Sequence, residues 1–190
     1  MSDLDLKELK YGSPASRMEL NEIYFWTDTI LDWNPLLSNN WFKSIIIKSW
    51  QHLINQKKII IYGFVIMPNH LHLLWKQTSL NGKEMPHASF NKFTSHTFLK
   101  YLKTNDPNLL EKFKANEKER KYQFWQLNPL AVKMDSLEKF EQKLNYIHLN
   151  PLQEKWSLVD LPEMYHWSSA KYYESGIDDF NLITHYEKVF

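Results

Sequence analysis

The sequence predicts an α+β fold in which helices pack on a largely antiparallel sheet. Runs of β-branched and aromatic residues alternate with segments whose apolar residues recur at helical spacing, in the order strand, helix, strand, strand, helix, strand, helix. The chain has 190 residues, 43% of them hydrophobic, which is enough for one sizeable core and too little for two full domains. We therefore expect a single compact α+β domain.

The first half of the chain supplies most of the predicted sheet. Residues 1 to 20 are polar and are interrupted by Gly12 and Pro14, which predicts an exposed N-terminal arm. The two strands that follow the first helix form a hairpin in the interior of the sheet. The predicted elements are a strand at 23–27, an amphipathic helix at 41–55, a buried strand at 59–66, a turn at 67–69 and a returning strand at 70–75.

The second half adds two helices and shorter strands. Residues 105 to 120 carry several lysines and predict a mobile bridge that an anionic partner would order. A last helix begins at Asp135, which can cap the free amides together with Glu138, and it ends before Pro151. The remaining elements are short strands at 122–126 and 130–134 and a helix at 87–103 whose inward stripe is Phe90, Phe93, Thr97 and Tyr101.

Composition excludes several kinds of protein. The chain has no cysteine, so disulfides, thiolate metal sites and a cysteine nucleophile are excluded. The N-terminus lacks a basic region followed by an apolar run, and no apolar stretch approaches the roughly 18 residues that a membrane helix needs. We therefore expect a cytoplasmic protein that has no contact with a membrane.

Charge is distributed unevenly along the chain. The formal net charge is only +1, but residues 43 to 121 carry 14 Lys and Arg against 5 Asp and Glu, and the remainder of the chain is acidic. A polyanion such as nucleic acid could therefore bind the middle of the chain. Lysines that are merely solvated on helix surfaces would produce the same pattern.

Two histidines on one predicted strand form a candidate metal site. Side chains alternate along a strand, so His70 and His72 point to the same face while Leu71 and Leu73 point to the other. Two neutral imidazoles side by side can each give a nitrogen to one metal ion. Ordinary hydrogen bonds on a half-buried strand are the alternative, so the pair needs a partner elsewhere in the chain.

The last predicted helix carries that partner. Tyr146 and Asn150 are four residues apart and share a helix face, with Gln142 and Lys143 one turn earlier on nearly the same side. This places a phenol, an amide and a cation in one row. His148 lies on roughly the opposite side of the helix, and we interpret it as structural.

These motifs resemble a known family. Met67-Pro68-Asn69-His70-Leu71-His72-Leu73, followed about seventy residues later by Tyr146-Ile147-His148-Leu149-Asn150-Pro151, is similar to the single-tyrosine HUH transposases. The likeness is strongest to the REP-associated tyrosine transposases and their insertion-sequence relatives, which Phe124-Trp125-Gln126 and Tyr165-His166-Trp167-Ser168-Ser169-Ala170 also resemble. The fold it implies is a ferredoxin-like sandwich with a nuclease domain at 21–151 and a C-terminal extension at 152–190.

The resemblance implies a chemistry and a set of site residues. His70, His72 and Asn150 would bind a divalent metal, Mg²⁺ or Mn²⁺, and Tyr146 would attack a phosphodiester of single-stranded DNA to leave a 5′-phosphotyrosine and a free 3′-hydroxyl. A phosphodiester is a poor electrophile and a phenol with a pKa of about 10 is a poor nucleophile, so a metal is needed to neutralise the charge that develops on the phosphate. The implied partner is single-stranded or hairpin DNA, and the implied location is the nucleoid. The residues expected to contact phosphates are Lys92, Lys100, Lys103, Arg120, Lys121 and Lys143.

Alternatives to a strand-transfer enzyme remain at this stage. One is a DNA-binding protein that keeps the scaffold without the chemistry, and another is a metal-dependent hydrolase of a small substrate that uses His70 and His72. The resemblance also implies a homodimer as one assembly, in which the tyrosine helix serves the partner's metal site, with a monomer as the alternative.

Overall fold

The computed structural model describes residues 18–117 and 120–189, so nearly all of the predicted N-terminal arm lies outside the described residues. Six strands and five helices account for its regular structure. The strands are β1 (Ile23–Thr29), β2 (Ile59–Ile66), β3 (His70–Gln77), β4 (Lys114–Glu117), β5 (Arg120–Tyr122) and β6 (Leu130–Lys133). The helices are α1 (Asn40–Asn55), α2 (Pro86–Asn105), α3 (Pro107–Leu110), α4 (Leu137–Leu149) and α5 (Ala170–Ser175).

The main sheet has four strands in the order β2-β3-β1-β6, and each neighbouring pair is antiparallel. Since β1 is central, it pairs with β3 on one side and with β6 on the other. The register places Thr27 of β1 directly opposite His72 of β3. The predicted α+β class and ferredoxin-like antiparallel sheet are thereby confirmed.

One face of the sheet is covered by α1 and α2. Trp26 stacks on Trp75 with ring centroids 5.0 Å apart, and both rings are fully buried. Phe90 of α2 meets Trp26 edge to face at 5.8 Å, and Trp50 of α1 stacks on Phe90 at 6.0 Å. We call this side, which holds the larger apolar cluster, the packed face.

The opposite face is covered by α4 and the C-terminal segment, and we call it the site face. Phe140, Leu144 and Ile147 of α4 are buried against Phe25, Tyr62 and Leu74. The helix approaches β2 most closely at Gly63, where a Cβ atom would lie 2.5 Å from Leu144 Cδ1 and 3.2 Å from Ile147 Cδ1. Absence of a side chain at residue 63 therefore lets the tyrosine-bearing helix sit directly on the sheet.

The inward stripe of α2 differs from the predicted one. The buried positions are Phe90, Thr94, Phe98 and Leu102, whereas Phe93 is 51% exposed. A constant spacing of four residues keeps these side chains on one side over about three turns, and Phe98 packs edge to face on Phe42 of α1 at 5.0 Å. The prediction was right for Phe90 and for Tyr101, which is half-buried against Trp41 and Phe42 of α1. It was wrong for Phe93, and Thr97 is only half-buried.

The bridge predicted to be mobile is folded in its described part. Asp106 caps α3 by accepting a hydrogen bond from the Leu109 backbone N–H at 2.9 Å, and Leu110 and Phe113 are buried. The chain then forms the β4–β5 hairpin. The predicted strand at 122–126 was wrong in extent: Tyr122 is the last residue of β5 and pairs with Lys114, and Trp125 makes an isolated bridge to Ile30, just after β1.

The N-cap of α4 lies one residue after the predicted N-cap. Ser136, not Asp135, is the N-cap, and its hydroxyl accepts a hydrogen bond from the Lys139 N–H at 3.3 Å. Asp135 instead forms an ion pair with the Lys139 side chain. The helix ends before Pro151, as predicted, and continues as a short 3₁₀ turn at Asn150–Leu152.

The chain beyond residue 160 lines the outer edge of β2. Ser168 bridges to Val65 in antiparallel fashion, and Ile183 bridges to Ile61 in parallel. The Tyr165 hydroxyl donates to the Ile66 carbonyl at 2.8 Å. None of the helices formed by the described residues is both long and apolar enough to cross a bilayer.

Candidate active site

His70 and His72 lie side by side on the site face, with ring centroids 4.7 Å apart. The Asn69 side chain sets the ring of His70: its amide nitrogen donates to the Trp33 carbonyl at 3.1 Å, which leaves its oxygen to accept from His70 Nδ1 at 2.7 Å. His72 Nδ1 is 2.7 Å from the Thr27 hydroxyl. Both rings are therefore held through Nδ1, and Nε2 of each is the nitrogen left for a ligand.

Burial keeps both imidazoles neutral. It lowers the pKa of His70 to about 4, with a smaller contribution from the positive charge of Lys155. The pKa of His72 is lowered well below its usual range by burial and then by the nearby His70, Lys143 and Lys155. A neutral ring presents a lone pair at neutral pH, so these histidines are prepared to coordinate a metal without first losing a proton.

Tyr146 lies directly against His72 in the same chain. Its ring centroid is 5.3 Å from that of His72 and 6.2 Å from that of Phe25. Burial raises the pKa of the Tyr146 phenol, while side-chain hydrogen bonds from Asn150 and Gln153 partly oppose that rise. The phenol is thus protonated at neutral pH and surrounded by groups that favour its anion.

Unpaired polar atoms mark the space between these side chains. Within residues 18–117 and 120–189, His72 Nε2 and Asn150 Oδ1 are buried without a hydrogen-bond partner. A buried polar atom with no partner costs about 1–3 kcal/mol, a cost that a bound cation would remove. The donor types, imidazole nitrogen and amide oxygen, fit a divalent ion such as Mn²⁺ or Mg²⁺.

No carboxylate joins this set. The described part of the chain contains no group of three His, Asp or Glu side chains placed to hold a metal. Two histidines and the amide of Asn150 are therefore the protein ligands that the site offers. Because all three are neutral, a bound ion would keep its full positive charge.

Two lysines border the site. Lys143 Nζ lies 5.6 Å from the centre of the Tyr146 ring and 5.1 Å from that of Phe25. Lys155 is exposed, and its charge is felt at both histidines. The neighbourhood of the phenol is thus positively charged, which suits a phosphate group.

The other residues expected to bind DNA lie elsewhere. Lys100 and Lys103 are exposed on α2, on the packed side of the sheet. Lys92 forms an exposed ion pair with Glu84 at 2.8 Å, and it lines a cleft of about 580 Å³ together with Arg120. Lys121 is exposed beside Tyr122. Of the six predicted phosphate contacts, only Lys143 is brought next to His72 and Tyr146.

Several residues of the site escaped sequence analysis. Gln153 and Lys155 follow Pro151, where the helical period that placed Asn150 no longer applies. Thr27 lies opposite His72 through the β1–β3 register, which a single sequence does not reveal. His148 turns away from the site, and its Nε2 is 2.8 Å from the Ser169 hydroxyl of the C-terminal segment.

Comparison with known proteins identifies the fold. No family model and no curated protein matches the chain. A solved structure of a REP-associated tyrosine transposase bound to a REP hairpin matches 92% of this chain and 91% of its own, with a TM-score of 0.59. The two proteins share a fold. At 12% sequence identity, the comparison shows the fold alone, over 92% of the chain, and the site residues rest on their own geometry.

Proposed function

We propose that this protein is a metal-dependent enzyme that nicks and rejoins single-stranded DNA through Tyr146. One observation carries the proposal: the Tyr146 ring lies against His72, whose Nε2 is buried without a partner and whose ring lies beside that of His70. A nucleophile, a metal-binding pair and flanking lysines on one face of a sheet form the set that attack on a phosphodiester requires.

The reaction is a transesterification at phosphorus. The Tyr146 oxygen bonds to the phosphorus, the bond from phosphorus to the 3′-oxygen breaks, and the phenol proton is in effect transferred to that leaving oxygen. The products are a 5′-phosphotyrosine and a 3′-hydroxyl, and the reverse attack by a 3′-hydroxyl rejoins a strand without ATP. Asn150 and Gln153 would stabilise the phenolate that develops as the proton leaves.

His70 Nε2, His72 Nε2 and Asn150 Oδ1 would hold the divalent ion. When bound, Mg²⁺ or Mn²⁺ would neutralise the charge that develops on the phosphate oxygens. The Asn69 and Thr27 contacts orient the two rings, and Lys143 and Lys155 would attract the phosphate from either side of the site. The chain's own contribution is therefore orientation and a positive local field.

Hairpin DNA is the substrate class we propose. The solved structure that shares this fold is described as bound to a REP hairpin. The lysines of α2 and the cleft beside Arg120 give this chain a second cationic region, on the packed side, that could bind the duplex part of such a substrate. A DNA-binding protein without strand transfer is the second candidate, since most of the predicted phosphate contacts lie away from Tyr146.

A covalent-adduct assay separates these candidates. A labelled hairpin oligonucleotide with an unpaired flank, incubated with the protein and Mn²⁺ or Mg²⁺, should yield a protein–DNA adduct that survives denaturing electrophoresis. The adduct should be absent from Tyr146→Phe and with EDTA. Salt-sensitive binding without any adduct would overturn the proposed chemistry and indicate the binding protein.

A third possibility, a hydrolase of a small substrate, makes a different prediction. Hydrolysis by a metal-bound water would not use the phenol, so Tyr146→Phe would retain turnover. Loss of all activity in that variant, with its fold intact by circular dichroism, excludes the hydrolase.

A further inference from the structure

An exposed tryptophan stands beside the histidine pair. Trp33 is 55% exposed, whereas Trp26, Trp50 and Trp75 are fully buried. Its ring centroid is 5.9 Å from that of His70, at an interplanar angle of 67°. Trp33 thus offers an open aromatic face next to a candidate metal ligand.

The backbone that presents this ring is strained. Asp32 and Trp33 have φ values of 54° and 56°, in the left-handed region that residues with a side chain rarely adopt. Strained conformations of this kind persist only where the surroundings fix them, and they concentrate at functional sites. Here the Trp33 carbonyl accepts from Asn69 Nδ2 at 3.1 Å, and the Trp33 N–H donates to the Ile30 carbonyl at 2.9 Å.

Asn69 links Trp33 to the metal-binding pair. The same amide that holds the Trp33 carbonyl also orients His70 through its oxygen. The backbone that presents the exposed ring is thereby tied to the histidine pair, and the ring itself lies against His70.

The surroundings of the ring fit a nucleic-acid strand. Trp156 flanks His70 with a centroid distance of 5.9 Å, and Lys155 Nζ lies 5.7 Å from the centre of the Trp156 ring. Proteins bind unpaired strands by combining cationic side chains, which attract phosphates, with aromatic rings on which bases stack. Trp33 offers the open ring, and Lys155 offers the charge.

We propose that Trp33 is a stacking platform for an unpaired base next to the phosphate that is presented to Tyr146. The inference rests on the proposed function only in assuming that a DNA strand crosses this site. Stacking is tolerant of sequence because every base has a π face. Trp33 would therefore fix the path of the strand, and with it the phosphate presented to Tyr146, without selecting which base lies there.

A binding cycle tests this role without any chemistry. In the Tyr146→Phe protein, the affinity for a hairpin oligonucleotide with an unpaired flank is measured by fluorescence anisotropy, with single abasic sites placed at successive flank positions. Trp33→Ala should weaken binding about 5- to 150-fold, the range found for base–aromatic stacking. Trp33→Phe should retain most of the affinity, and Ile177→Ala, which truncates a 52% exposed side chain far along the chain, should bind as its parent does.

The abasic scan supplies the decisive comparison. At one flank position, removal of the base should weaken binding by the parent protein about as much as Trp33→Ala does. The same abasic oligonucleotide should bind Trp33→Ala as tightly as the intact one does. If the two losses simply multiply at every position, or if Trp33→Ala binds as tightly as its parent, the platform is refuted. A far-UV spectrum and a melting curve of Trp33→Ala check that the fold is retained.

Failure of this inference is distinguishable from failure of the proposed function. Coupling between Trp33 and one base in a protein that forms no adduct through Tyr146 would support the platform and refute the chemistry. If Trp33→Ala in the protein that keeps Tyr146 forms the adduct normally, and the abasic scan shows no coupling between Trp33 and any base, the platform alone is refuted. No binding of any unpaired flank at low salt would refute both, and would leave a protein partner as the reason for the exposed ring.

Discussion

The two faces of the sheet differ in what they bury. The packed face buries aromatic rings and aliphatic side chains between β1, β3, α1 and α2, with Trp26, Trp75 and Phe90 at its centre. The site face buries a smaller apolar cluster under α4 and also holds two histidines and the Tyr146 phenol. The site face thus keeps two neutral histidines buried beside its apolar cluster, an arrangement that packing alone would not favour.

The same strands serve both faces. Along β3, Leu71, Leu73 and Trp75 enter the packed face while His70 and His72 enter the site face, because successive side chains alternate. Stability and chemistry are therefore assigned to alternate residues of one strand. Substitutions on the two faces should separate the two properties.

The largest effect should come from the packed face. Trp26→Ala should lower the free energy of unfolding by about 3–5 kcal/mol, because it leaves a cavity among fully buried rings. Tyr146→Phe should cost less than about 1.5 kcal/mol, the net value of a lost hydrogen bond, while it abolishes adduct formation. Urea unfolding of both variants measures the difference, and equal losses would contradict the division between the faces.

Asp28 is the exception on the packed face, and it should make that face sensitive to pH. Burial raises the pKa of this fully buried carboxyl from 3.8 to about 7, and hydrogen bonds from Asn91 and the Thr29 N–H only partly oppose the rise. Between about pH 4 and pH 7 the folded state therefore holds a proton that the unfolded state has lost. The contribution of Asp28 to stability falls with rising pH across this window, by about 1.4 kcal/mol per pH unit at most, and is constant above it.

Asp28→Asn should remove this dependence. The variant should gain stability over the parent as the pH rises from 4 to 7, reaching of order 4 kcal/mol at pH 8. The buried histidines have the opposite effect, because their contribution to the stability of the folded state is lost as the pH falls. This effect is the same in both proteins, so it cancels when their free energies of unfolding are subtracted. Urea unfolding at pH 5 and pH 8 measures it, and a difference independent of pH would show that Asp28 has an ordinary pKa.

Gly63→Ala should disturb the site face at intermediate cost. The added methyl would press on Leu144 and Ile147 of α4, and overpacking of this kind costs about 1–3 kcal/mol. Because the same helix carries Tyr146, we expect adduct formation to fall more than stability does. Gly82→Ala is the control, because a Cβ atom at that position would meet no neighbour within 4 Å. Its φ of 66° adds backbone strain, so the two variants are compared by their yield of adduct and not by their stability.

The smallest effects should come from the exposed lysines of α2. Lys100→Ala or Lys103→Ala should weaken DNA binding less than tenfold and uniformly across sequences, and each should reduce the slope of log affinity against log salt by about 1. Neither change should alter the yield of adduct at saturating DNA. Anisotropy titrations at several salt concentrations measure the slope, and an unchanged slope would remove that residue from the interface.

Most of the sheet and its covering helices were predictable, and so was the central spacing of the site. The strand parity of His70 and His72 and the helical interval between Tyr146 and Asn150 are local patterns, which a single sequence states directly. Their meeting in space depends on which strands pair and on how closely α4 approaches β2 at Gly63. That approach is a property of packing, which the local pattern does not contain.

The site residues that sequence analysis missed were all missed for the same reason. Thr27 reaches His72 through the strand register, and Trp33 reaches His70 through a left-handed turn. Lys155 reaches both histidines from a turn that follows the 3₁₀ segment at Asn150–Leu152, where the helical period has ended. Each contact depends on irregular or long-range geometry, where neither the period of 2 nor that of 3.6 residues gives a signal.

The C-terminal segment has a consequence for association between molecules. The Trp167 carbonyl accepts from the Ile66 N–H at 2.9 Å, and the Thr184 N–H donates to the Ile61 carbonyl at 2.9 Å. These bonds occupy backbone groups that an outer strand would otherwise offer to a neighbouring copy. While this segment is in place, β2 is protected against edge-to-edge aggregation, and a truncation before residue 160 would expose its backbone groups to self-association.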